Sequence, residues 1–192
     1  MTRYIRPVPV LAVFLVLAGC QEKPAEQNAY IPYFPVNAFL QEQLHLIDSL
    51  QPPTTLYTES AGDSSIQGIA LADCRALAAP FLQYDISKSP LHEQYKEESF
   101  ADQSNPAITF TYTTADSTLP LQRMDVVLKP DPVKADQVKS IYMEKFYQQG
   151  DSAITEKLYW KADRFFQVIR TAEGPGGENK TTRQKVVWNP AD

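Results

Sequence analysis

The apolar positions along this chain change period once. In VNAFLQEQLHLIDSL, Val36 to Leu50, they recur at helical spacing, with Leu40, Leu44 and Ile47 on one stripe flanked by Phe39 and Leu50. Asn37 stands where an N-cap belongs, and the pair Pro52 and Pro53 stops the helix. A second helical pattern runs from about Ile66 to Tyr84, with Leu71, Cys74, Ala78 and Phe81 on a common stripe. Pro80 falls inside it and predicts a kink or a restart, since a proline within a helix costs about 3 kcal/mol.

After Asn105 the period becomes two. Ile108, Phe110 and Tyr112 alternate with threonines, Met124, Val126 and Leu128 alternate in LQRMDVVLKP, and Ile154, Leu158 and Trp160 share a phase in AITEKLYW. In QVKSIYMEKFYQ, Val138, Tyr142 and Phe146 align on a helix face as well as on a strand face, and their position among strands assigns them to the sheet. TADS, QQGD, KADR and GPGG fall between these runs as turns. Connections this short join antiparallel neighbours. The pattern predicts a single α+β domain over 36–192: an antiparallel five- or six-stranded meander with one face packed by two N-terminal helices and the other face wet.

The first residues follow neither rule. Arg3 and Arg6 precede an apolar run from Val8 to Ala18, about half the ~20 residues that a membrane-spanning helix needs, so 1–19 read as a signal peptide. Gln21 to Pro35, polar and then aromatic, carries no periodicity, and 20–35 read as a tether. Fully extended, fifteen such residues reach about 50 Å, and as a flexible chain they average nearer 20 Å.

Leu17, Ala18, Gly19 and Cys20 resemble the lipobox of bacterial membrane lipoproteins. Small residues beside the cut admit the backbone to a narrow protease groove, and only a thiol can form the thioether to a diacylglyceryl group. The resemblance implies cleavage before Cys20 and two or three acyl chains on it, each buried methylene contributing about 0.8 kcal/mol of membrane affinity. In the two-membrane sorting scheme an Asp after the cysteine retains the protein in the inner membrane. Gln21 stands there, which implies the outer membrane, on its periplasmic or cell-surface face. The body, helices first and a meander after, resembles uncharacterised lipoproteins of the Bacteroidota type, a resemblance of layout that implies no activity.

Charge narrows the partners. The formal net charge is -5, and without Arg3 and Arg6 there remain 16 basic side chains against 23 acidic, which argues against nucleic acid or anionic headgroups as principal partners. Of two cysteines, lipid consumes Cys20 and leaves Cys74 without an intramolecular partner, where its stripe reads it as a small buried side chain.

Catalytic patterns are missing from the sequence. His45 and His92 have no further ligand at metal-site spacing, no GxSxG, HExxH or phosphate-loop pattern occurs, and Glu97 and Glu98 read as a solvated charge run rather than a glycosidase pair. Asn179, Lys180 and Thr181 form a glycosylation-type triplet that reads as loop. No cofactor or metal is expected, and the chain reads as a non-enzyme.

The rings are more suggestive. Tyr159 with Trp160, and Phe165 with Phe166, are consecutive on strands, so each pair splits across the two faces. By phase with Ile154 and Leu158, Trp160 belongs to the core, and Tyr159 marks a candidate binding surface on the outer face. The expected role is a membrane-anchored envelope lipoprotein acting as an interaction or accessory module, with the membrane and an envelope protein as partners. The alternative is a carrier or receptor for an apolar or sugar ligand. An enlarged cavity beneath the helices distinguishes the carrier, and a filled core with an open aromatic face distinguishes the module.

Overall fold

A computed structural model describes residues 33–102, 104, 106–130 and 137–189. The leader, Cys20 and the tether up to residue 32 lie outside them. Among the described residues, helices α1 (Val36–Leu50) and α2 (Leu71–Leu82) accompany nine strands: β1 Thr55–Ser60, β2 Asp63–Gly68, β3 Lys96–Asp102, β4 Ala107–Thr113, β5 Leu121–Lys129, β6 Gln137–Gln149, β7 Ser152–Lys161, β8 Phe165–Glu173 and β9 Asn179–Val187. They form one open antiparallel sheet in the order β2-β1-β9-β8-β7-β6-β5-β4-β3. From β3 onward this is the expected meander, and the β1–β2 hairpin adds to its far side along β9.

The α+β class stands, but five or six strands is too few. The missing strands are β1, β2 and β3, and the reason is physical. Every residue of β2 is exposed, β3 is exposed but for half-buried Asp102, and β1 buries only Leu56. The apolar alternation that betrays a half-buried strand is therefore missing from all three. They are held by ladder pairing to their neighbours. The β1–β2 turn is equally inconspicuous, since Ala61 and Gly62 adopt φ of 51° and 90° without the Asn-Gly pair that usually announces such a turn. The expected helical stretch from Ile66 is accordingly displaced: Ile66 lies in β2, and α2 begins at Leu71. It runs through Pro80 to Leu82 without a restart, the proline falling in its last turn.

Asn37 is not an N-cap. The helix starts one residue earlier, at Val36, and Asn37 Nδ2 instead donates to Leu82 O at 3.1 Å, satisfying a carbonyl at the end of α2. The predicted stripe of α1 is buried as expected, at Leu40, Leu44 and Ile47. QVKSIYMEKFYQ is strand, within β6.

One face of the sheet packs on the helices. Trp160 and Phe166 lie parallel with centroids 5.0 Å apart, and Phe81 of α2 meets both edge-on at 5.3 and 5.6 Å. All three are at most 1% exposed. Tyr33 and Phe34, from the end of the segment read as a tether, are already fixed to this body: Tyr33 stacks on His92 at 3.8 Å, and Phe34 N donates to Tyr112 Oη.

Candidate functional site

The opposite face takes the alternate residues. Cross-strand register aligns Tyr57, Lys185, Gln167, Tyr159 and Tyr142 in one row across β1, β9, β8, β7 and β6. The adjoining row contains Val187, Phe165 and Lys161. Tyr159 is therefore where its phase put it, half-buried on the outer face, with its ring 5.8 Å from that of Phe165.

Beside it lies a groove of about 520 Å³. Tyr57, Phe165 and Val187 supply its apolar surface, and Glu59, Arg164, Arg183, Lys185 and Asn189 its polar one. Three cations against one carboxylate make this a basic hollow on an acidic protein. Arg183 is engaged by Glu59 at 3.0 Å, while Lys185 Nζ sits 4.2 Å over the Phe165 ring. Among the described residues neither Lys185 nor Arg164 has a carboxylate partner. Lys161, in the same row as Phe165, is held below the ordinary lysine range by burial and by the charges of Lys139 and Arg164.

The turn that carries Arg164 is rigidly built. Asp163 takes a left-handed φ of 59°, and the buried Gln43 of α1 clamps it twice at 2.8 Å, Nε2 donating to Asp163 Oδ1 and Oε1 accepting Asp163 N–H. Arg164 O accepts the N–H groups of Trp188 and Asn189 at 3.1 and 3.2 Å. The guanidinium thus projects from a backbone fixed on both sides, so binding has to order only the side chain.

Tyr159 adjoins this groove through Phe165 but does not line it. Cys20 lies outside the described residues. Sequence reasoning missed Tyr57, Arg164, Arg183 and Lys185. A signal existed: Arg183, Lys185 and Val187 alternate with the buried Val186 and Trp188.

The remaining candidates scatter. His45 is exposed on α1, and His92 is half-buried against Tyr33. Glu97 and Glu98 are successive residues of β3 and so point to opposite faces. Gly174 to Gly177 form the β8–β9 turn as expected. Among the described residues no three His, Cys, Asp or Glu side chains are grouped to hold a metal, and no helix is long and apolar enough to cross a membrane. The buried face does contain a charged cluster, in which Lys145 Nζ lies 2.8 Å from Glu156 Oε2 and Tyr147 Oη donates to Glu156 Oε1 at 2.8 Å.

Cys74 lies on the buried face of α2 at 1% exposure, and burial pushes its thiol up to about 11. Cys74→Ala should cost about 1 kcal/mol or less, and thiol reagents should label the native protein slowly. The neutral thiol stabilises the fold fully below the unfolded thiol's pKa near 9, and that contribution is lost as pH rises towards 11. Melting temperatures at about pH 8 and about pH 10.5 should therefore converge for wild type and Cys74→Ala as the pH rises. Fast native labelling contradicts this account.

Comparison with protein-family models, curated proteins and solved structures finds no match to this chain.

Proposed function

We propose that this chain is a non-catalytic interaction module of the bacterial outer membrane, anchored by acyl chains on Cys20 and meeting an envelope component with the outer face of its sheet. The observation that carries the reading is the asymmetry of that sheet. Its helix side is filled by Trp160, Phe166, Phe81, Leu158 and Met124, all at most 1% exposed. Its other side presents half-buried rings and an open groove. A carrier needs room beneath the helices, and the interlocked rings favour the module over it.

The anchor and the face are testable together in a two-membrane bacterial host. The wild-type protein should incorporate an alkyne fatty acid, and Cys20→Ser should not. A photo-crosslinking residue replacing Gln167 on the outer face should give a discrete adduct, while one replacing Gln41, exposed on α1, should not. Label on the serine variant removes the anchor, and adducts of equal yield from both positions remove the face.

A further inference from the structure

Resting on that reading of the outer face, we propose that the groove at Arg164 and Lys185 is a binding site for an acidic saccharide, with its anionic group between the two cations and its ring against Tyr57. Charge comes first. In a chain of net charge -5, a hollow with three cations and one carboxylate marks a preference for anions. Arg183 is already occupied by Glu59, which leaves Arg164 and Lys185 as the groups to be neutralised by a ligand. Lys161, in the row that contains Phe165, adds a further cation beside the groove; burial first, and then the charges of Lys139 and Arg164, hold it below the ordinary lysine range.

The other lining groups select the rest of the ligand. Glu59 accepts and Asn189 both accepts and donates, a set that suits hydroxyls, while Tyr57, 40% exposed, offers a flat apolar surface to the C–H face of a sugar ring. A bare inorganic anion has no use for Glu59 and is repelled by it. An extended acidic peptide is disfavoured for a different reason. Peptides dock on sheets chiefly through free main-chain groups, and the groove's floor is made of β1, β8 and β9, each paired on both sides. Recognition must come from side chains. The volume of about 520 Å³ lies within the roughly 300–1,000 Å³ of small-ligand sites. Carboxylated and phosphorylated sugars share this chemistry.

The test is calorimetric titration of the full acylated protein in neutral detergent with trigalacturonate, glucose 6-phosphate, maltotriose and hexaglutamate. Trigalacturonate or the sugar phosphate should bind at least about tenfold more tightly than maltotriose, the value of one charge-assisted contact, and which of the two binds identifies the anion. Arg164→Gln and Lys185→Gln should each weaken binding about tenfold, and higher salt should weaken it further, with melting temperatures unchanged because both side chains project from the outer face. Equal binding of maltotriose, equal or tighter binding of hexaglutamate, binding indifferent to both substitutions, or no binding at all overturns the proposal. Should none of the probes bind while the adduct at position 167 persists, the saccharide assignment fails and the interaction face stands. Loss of both removes both.

Discussion

Trp160→Ala should lower stability by about 3 to 5 kcal/mol, a fall in Tm of roughly 6 to 20 °C for a domain of this size, whereas Tyr159→Ala should cost about 1 kcal/mol or less. The two residues are neighbours in sequence and differ only in the face they occupy. Trp160 is fully buried, stacked on Phe166, met edge-on by Phe81 and flanked by Trp188 at 5.5 Å. The ring thus joins α2 to two further aromatic positions of the core, and its removal leaves a void that the rigid sheet cannot close. Tyr159 loses a tilted contact with Phe165 and its cross-strand neighbour Tyr142, and solvent fills the space.

A control separates packing from polarity. Trp160 Nε1 is buried without a hydrogen-bond partner among the described residues, a condition that costs about 1 to 3 kcal/mol. Trp160→Phe removes that penalty along with part of the ring, so it should destabilise much less than alanine. Thermal unfolding of the three variants measures this. Equal effects of Trp160→Ala and Tyr159→Ala would mean that the faces are assigned wrongly.

This contrast was legible in the sequence because burial on one face imposes period two, and β4, β5 and β7 carry it plainly. The same logic explains what was not legible. Strands β2 and β3 are the sheet's two edges and bury no apolar side chain, so backbone pairing alone makes them strands, and backbone pairing leaves no mark on residue type. Of the site, Tyr159 could be placed by phase. Arg164 and Lys185 could not be recognised as site residues: the alternation of β9 puts Lys185 on the outer face and Arg164 lies in the β7–β8 turn, but a charged residue at either place looks the same whether it lines a groove or faces open water. Their juxtaposition with Tyr57 depends on β1 pairing with β9, a contact between distant parts of the chain. Asn37 failed as a cap for a related reason: its side chain answers a carbonyl of the other helix, which only the tertiary structure brings within reach.

Least legible of all was the pair Lys145 and Glu156, which break the apolar alternation of β6 and β7 at inward positions. Lys145 is 1% exposed, and its ammonium meets three acceptors: Glu156 Oε2 at 2.8 Å, Gln83 Oε1 at 2.8 Å and Pro80 O at 3.3 Å. The last two belong to the final turn and C-cap of α2, a helix with no basic residue of its own there. The sheet therefore supplies the cation that the negative end of the helix lacks, and the carbonyl of Pro80, one of those that the last turn leaves without a helical partner, is satisfied. Glu156 is supported in turn by Tyr147, whose phenol is pushed up to about 12 by burial and by the hydrogen bond to this carboxylate, and by Arg170 Nε at 3.9 Å.

Removing one partner of such a pair leaves a buried charge and should cost about 3 to 5 kcal/mol. The geometry adds an order. After Lys145→Met, Glu156 still has Tyr147 and Arg170, whereas after Glu156→Gln, Lys145 has only neutral acceptors. Glu156→Gln should accordingly be the more damaging change. In Lys145→Met combined with Glu156→Gln no uncompensated charge remains, and the double variant should recover at least about 1 kcal/mol relative to the sum of the single losses. Denaturant unfolding of the four proteins completes the cycle. Additive losses, or a smaller loss for Glu156→Gln than for Lys145→Met, would show that the pair is not the link that ties α2 to the sheet.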